Sequence, residues 1–231
     1  TGARLNRPYE LIVFDWDGTL MDSAGRIVTC MQRAAADLAI TVPAPAPVRE
    51  IIGLGLAEAM ARLFPDLALA DHDRLVEAYR GHWLGSELPA SPLFPGAVEL
   101  VGDLHRRGLR LAVATGKSRR GLDSALAETG MAAWFPITRC ADETFSKPHP
   151  QMLLEILTDW DTHPSAALVV GDTEYDMQMA ASAGVAAVGV AHGVHAAERL
   201  LAHGALHCFD DLTQLARWLE GQAGVLEDVS R

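Results

Sequence analysis

The sequence predicts an α/β fold, a Rossmann-like parallel sheet core with an inserted α-helical cap domain. Three observations lead there. From residue 95 onward, short apolar runs alternate with amphipathic helical stretches, the rhythm of a parallel sheet covered by helices on both faces. The first apolar run, Tyr9 to Phe14, is nearly unbroken and holds β-branched and aromatic residues, which suits a central strand buried on both sides. Between residues 21 and 92 the alternation stops and only helical patterns occur. The expected organisation is an α/β core of residues 1–20 and 93–231, interrupted by a helical cap domain of residues 21–92.

The elements follow in order. Asp15 and Asp17 stand directly after the first strand, and Gly18 lets the chain turn sharply. Residues 22–40 carry a helical pattern, with Asp22 or Ser23 as N-cap and Ile27, Cys30, Met31, Ala34, Ala35 and Leu38 on one face. Pro43, Pro45 and Pro47 break that helix and stiffen a short connector. Helices near 55–64 and 71–84 complete the block, the second closed by Gly85. After Pro95-Gly96, a helix from Ala97 to Arg107 precedes a strand from Leu109 to Ala114, and Thr115-Gly116-Lys117-Ser118 opens the next helix. Ile137 to Cys140 reads as a short strand and Pro150 to Trp160 as a helix with Pro150 in its first turn. A strand at Ala167 to Val170 leads through Gly171-Asp172-Thr173 into a helix ending near Ala183. A strand at Val185 to Val190, a helix at His195 to His203, a short strand at Cys208-Phe209 and a closing helix finish the core, with an acidic tail after Gly221.

Composition narrows the classes of function. An apolar fraction of 49% in 231 residues gives ample core material for a soluble globular protein. Lys and Arg number 19 against 30 acids, a net charge of −11, which argues against nucleic-acid and anionic-membrane partners. No stretch approaches the roughly 18 apolar residues of a membrane span, and no signal-peptide pattern is visible. Cys30, Cys140 and Cys208 are odd in number and lack any CxxC spacing, so they read as buried thiols of a reducing compartment. A cytoplasmic location is expected, as monomer or homodimer.

The chemistry concentrates at strand ends. Asp15 with Asp17, Thr115, Lys147, and Asp172 with Asp176 each lie just past a strand or in the loop after it. In a parallel sheet those ends share one edge, so the groups converge. Several carboxylates held together need a cation among them, most economically Mg2+. A lysine, a threonine hydroxyl and free N–H groups at a helix start make an anion subsite. Carboxylate nucleophile, metal and phosphate cradle together describe phosphoryl transfer.

The ordered set FDWDGTL at 14–20, VATGKS at 113–118, SKPHP at 146–150 and VVGDTEYDM at 169–177 resembles the haloacid dehalogenase superfamily of phosphohydrolases, in its phosphoglycolate-phosphatase-like branch. The resemblance spans residues 9 to about 219 and implies a role for each matched residue. Asp15 is then the nucleophile and a Mg2+ ligand. Asp17 protonates the leaving oxygen, later deprotonates water, and lends its main-chain carbonyl to the metal. Thr115 and the Gly116 N–H hold the phosphoryl group, Lys147 balances its charge, Asp172 binds the metal, and Asp176 is a ligand or supports one. Dehalogenases of the superfamily lack an acid two residues after the nucleophile, so Asp17 favours phosphate esters. One departure is Gly116, where the family commonly has Asn.

The implied function is Mg2+-dependent hydrolysis of a small-molecule phosphate monoester, phosphoglycolate-like or a sugar phosphate, through an aspartyl-phosphate. The alternatives are a phosphomutase of the β-phosphoglucomutase type and a catalytically silent binding protein. Taken singly, Thr115 and Asp172 are also ordinary helix caps, Lys147 an ordinary loop lysine, and Asp176 an ordinary first-turn acid. His149, His192 and His195 match no metal spacing. Gly53-Leu54-Gly55-Leu56 resembles the substrate-specificity loop of related enzymes and equally reads as a plain helix connector. Arg49 and Arg119 fit either substrate contact or surface charge.

Overall fold

The computed structural model describes residues 8–85 and 88–224. Six strands form one sheet: β1 (Leu11–Phe14), β2 (Arg110–Thr115), β3 (Ile137–Cys140), β4 (Ala167–Gly171), β5 (Ala186–Val190) and β6 (Cys208–Phe209). Every pairing is parallel and the strand order is β3-β2-β1-β4-β5-β6. β1 is therefore central, with Phe14 level with Val113 of β2 on one side and Val170 of β4 on the other.

Alternate residues of each strand feed two separate cores, as a pleated strand requires. Ile12, Phe14, Leu111, Val113, Leu168 and Val170 pack under helices α5 (Ala97–Arg106), α6 (Arg119–Thr129) and α10 (Leu212–Gly224). Leu11, Val13, Ala112, Ala114, Ala167 and Val169 pack under α7 (Gln151–Asp159), α8 (Glu174–Ser182) and α9 (Ala197–Ala202). The three-layer α/β architecture expected from the alternation is present. The acidic tail beyond residue 224 lies outside the described residues.

Between β1 and α5 the chain builds α1 (Ala24–Asp37), α2 (Pro45–Glu50), α3 (Leu56–Leu63) and α4 (Leu69–Leu84). These helices share their own apolar cluster, including Ile27, Met31, Val48, Met60 and Leu75, to which the core adds Tyr175. α2 differs from expectation. The proline-rich stretch is helical from Pro45 because a proline at the first helical position gives up an N–H that has no partner there in any case. Ser23 also departs from its expected use. It stands at the N-cap of α1 but makes no side-chain cap bond. Among the described residues, no helix is long and apolar enough to cross a membrane.

Candidate active site

Residue order places the reactive groups where the strand order reverses. β1 and β4 are neighbours, yet the chain leaves them toward different connections, and such a switch point opens a crevice at the strands' carboxyl ends. Asp15 follows β1, Asp172 follows β4, and Thr115 closes β2. All three are buried.

Lys147, from the loop before α7, is fully buried and reaches between two acids. Its Nζ lies 2.7 Å from Asp15 Oδ1 and 2.7 Å from Asp176 Oδ1. Burial alone would lower the lysine's pKa, but the charges of Asp15 and Asp176 outweigh it and hold the ammonium above its ordinary range. Asp176 uses its other oxygen in a capping box, accepting from the Thr173 N–H at 3.1 Å and the Thr173 hydroxyl at 2.6 Å. Asp172 accepts from the Thr19 hydroxyl at 2.8 Å and the Val194 N–H at 2.9 Å.

Asp15, Asp172 and Asp176 bring one carboxylate oxygen each within 4.8 Å of one another. Burial, and then the Asp176 charge, push Asp172 up to about 7. Burial also drives Asp15 well above the usual carboxylate range; Lys147 opposes this, while Asp176 and Asp172 reinforce it. Asp15 Oδ2 is buried and accepts no hydrogen bond. A buried oxygen without a donor, amid repelling carboxylates, suits a hard divalent cation, whose ligands are oxygens.

Asp17 sits apart from this cluster. Its Oδ1 accepts from the Ser23 hydroxyl at 2.5 Å and meets Lys117 Nζ at 2.9 Å. Lys117 in turn lies 4.1 Å from the centroid of the Trp83 ring, on α4. Thr115 is buried and its hydroxyl accepts from the Lys117 N–H at 3.2 Å, which leaves its own proton for another acceptor. Gly116 is held at a close backbone approach: a Cβ there would stand 2.4 Å from the Leu54 carbonyl oxygen. Gly18, at φ +85°, is similarly confined, because a Cβ would lie 2.1 Å from Asp172 Oδ2.

Asp15, Lys147, Asp172 and Asp176 thus meet directly, while Asp17, Thr115 and Gly116 line the adjoining cavity with Asp15. The cavity measures about 570 Å³ and its far wall belongs to α1, α3, α4 and the 51–56 turn. That turn reaches the core, where the Gly55 N–H donates to Ser146 Oγ at 2.6 Å. Thr19, Ser23, Lys117 and Thr173 are partners to which the sequence assigned no role in the site. Thr19, Lys117 and Thr173 carried a signal, since all three stand inside the motifs quoted above.

None of the remaining candidates lines this cavity. Arg119 binds Glu143 at 2.7 Å and the Thr138 hydroxyl at 2.7 Å, bracing the loop after β3. Arg49 is exposed in the last turn of α2. His195 accepts from the Glu174 N–H at the start of α8, and His192 bonds the Thr19 carbonyl at 3.0 Å. His149 accepts from the Gln151 N–H. The three cysteines are free, two of them buried.

Residues 12–190 match the model of the haloacid dehalogenase-like hydrolase family. "Probable phosphatase IndB" of Dickeya dadantii is 35% identical over 199 residues, covering 83% of this chain and 85% of its own. A phosphoglycolate phosphatase of Rhodospirillum rubrum is 30% identical over 220 residues, covering 90% of each. The solved structure of a hydrolase from Pseudomonas syringae overlays with a TM-score of 0.82 at 24% identity, covering 93% of this chain and 99% of its own.

Proposed function

Since the chain belongs to the haloacid dehalogenase-like hydrolase family, we propose that it is a Mg2+-dependent phosphatase that hydrolyses a small-molecule phosphate monoester through an aspartyl-phosphate on Asp15. The observation that carries the proposal is the buried Asp15 carboxylate, with Lys147 on one oxygen and no donor on the other. Asp15, Asp172 and the Asp17 main-chain carbonyl would hold Mg2+, with Asp176 beside them. Bound there, the ion's positive charge would keep Asp15 ionised and offset charge on the phosphoryl oxygens.

The chain's own groups supply the rest. An Asp15 oxygen attacks phosphorus as the bond from phosphorus to the ester oxygen breaks, and Asp17 gives that oxygen its proton. Lys147 and the Thr115 hydroxyl, with the Gly116 N–H, neutralise and orient the phosphoryl oxygens. Asp17, now a carboxylate, removes a proton from water, which attacks phosphorus and releases inorganic phosphate with Asp15 restored. Both contacts of Asp17, to Ser23 and to Lys117, fall on Oδ1, which leaves Oδ2 without either of these partners beside the cavity. We assign residues 21–92 as a cap over a core of 1–20 and 93–231; a closed cap excludes bulk water while the acyl phosphate exists.

Phosphate release from a panel of monoesters, with and without Mg2+, tests the proposal. Asp15→Asn should lower kcat by about 1,000-fold or more, because no other carboxylate occupies the nucleophile's place. Equal release by wild type and Asp15→Asn would overturn the assignment. Transfer back to a sugar with little free phosphate would indicate the mutase instead.

A further inference from the structure

The cavity in front of Asp15 exceeds the needs of a phosphoryl group. At about 570 Å³ it falls among pockets that enclose drug-sized organic ligands, roughly 300–1,000 Å³. Its phosphoryl end is polar, with Asp15, Asp17, Thr115 and Gly116. The opposite wall is different. Ile27 and Met31 of α1, Ile52 and Leu56 of the turn and α3, and Tyr79 and Trp83 of α4 face the same space. The Tyr79 and Trp83 rings stack almost parallel, at 16° and 6.2 Å between centroids, with Lys117 Nζ 4.1 Å and the Arg26 guanidinium carbon 4.7 Å from the Trp83 centroid.

The charges around the cavity point the same way. Lys117 is engaged by Asp17 at 2.9 Å and Arg80 by Glu77 at 2.6 Å. Arg120 is exposed on the first turn of α6. Glu77 and Asp142 add negative charge to the lining. A carboxylate on the leaving group would lose its water among apolar side chains and acids, and would gain a cation only at exposed Arg120 or by breaking an existing pair. A neutral ring would lose nothing there and would bury its faces.

Resting on the phosphatase reading, we propose that the substrates of this enzyme are phosphate monoesters of alcohols bearing a flat apolar body, and that Trp83 and Tyr79 set that preference. Phosphoglycolate, the substrate in the names of several relatives, lacks such a body and carries the disfavoured carboxylate.

The test compares kcat/KM for 2-phenylethyl phosphate, propyl phosphate and phosphoglycolate in Mg2+. Both alcohols leave with similar intrinsic ease, so the ranking reports the pocket. The phenyl compound should exceed propyl phosphate by about 30-fold, mostly through KM, for a buried ring face. It should exceed phosphoglycolate as well. Trp83→Ala should cut the phenyl-to-propyl ratio about tenfold. Equal or better use of propyl phosphate or phosphoglycolate would overturn the proposal, and an unchanged ratio in Trp83→Ala would remove Trp83 from it. If no ester is hydrolysed, including p-nitrophenyl phosphate, the phosphatase reading itself falls. Calorimetric binding of 2-phenylethylphosphonate against propylphosphonate then still decides: preference for the phenyl compound supports the apolar site, and equal binding refutes it.

Discussion

The carboxyl of Asp172 accepts hydrogen bonds from Thr19 and Val194, and still burial and the Asp176 charge push its pKa up to about 7. A carboxyl whose folded pKa is raised binds its proton more tightly in the folded chain than in the unfolded one. Below about pH 4 it is protonated in both states and costs nothing. Between about 4 and 7 the unfolded state releases its proton first, so stability falls as pH rises, and above 7 the loss is complete. Glu143 and Glu174, held below the usual range by Arg119 and Arg199, act in the opposite direction. The informative quantity is therefore the difference in Tm between wild type and Asp172→Asn without metal. Wild type should lose ground steadily from pH 4 to 7, and Mg2+ should restore more of it the higher the pH. A Mg2+ increment in Tm that ignores pH across that window would count against Asp172 as a ligand. Asp15, Thr115, Lys147 and Asp172 were legible in the sequence because each follows an apolar run or stands in an ordered motif. The partners of Asp17 were not. Ser23 reads locally as a helix cap, and only the fold of the chain turns its hydroxyl back onto an acid six residues earlier.

At the level of elements, α2 shows why the cap was only partly readable. Three prolines in five residues signal a break, but Pro45 at the first helical position is compatible with a helix, and the prediction of a bare connector failed on that point. The 53–56 turn was ambiguous for a different reason. Its glycines are as common in connectors as in binding loops, and its role follows from what it meets across the cavity. It meets Gly116. With the Leu54 carbonyl oxygen 2.4 Å from where a Cβ would be, no side chain fits at 116 while the cap holds this position. Gly116→Asn, the residue common in the family, should push the turn away at a cost of about 1–3 kcal/mol. That corresponds to a fall in kcat/KM of roughly tenfold to a hundredfold, with the far-ultraviolet circular dichroism unchanged and cleavage by a protease within residues 38–56 faster. Full activity in Gly116→Asn would show that the closed arrangement tolerates a side chain there.

Across the whole molecule, the parallel sheet was the most legible feature because its strands are buried on both faces and so spell continuous apolar runs. Strand order is written nowhere in those runs; it comes from how helices pack onto two faces, and it is what sets Asp15 and Asp172 on adjacent strands. The cap enters and leaves the core at one place. The Asp22 N–H donates to the Pro92 carbonyl at 2.8 Å, the Phe94 N–H donates to the Leu20 carbonyl at 2.9 Å, and Met21 bridges Leu93 in antiparallel fashion. Two segments that run side by side form a stem, and a stem closes the loop entropy of whatever it carries before that cargo folds. Replacing residues 23–91 with a two-residue Asn-Gly turn, which suits an antiparallel pair, should leave a core that melts cooperatively by circular dichroism and no longer distinguishes 2-phenylethyl phosphate from propyl phosphate. An unfolded product would show that the core depends on its cargo. If the core stands alone, the lid is a cassette, and a lineage changes what the enzyme accepts by exchanging one insert at a junction six residues past the nucleophile, without disturbing the acids that do the chemistry.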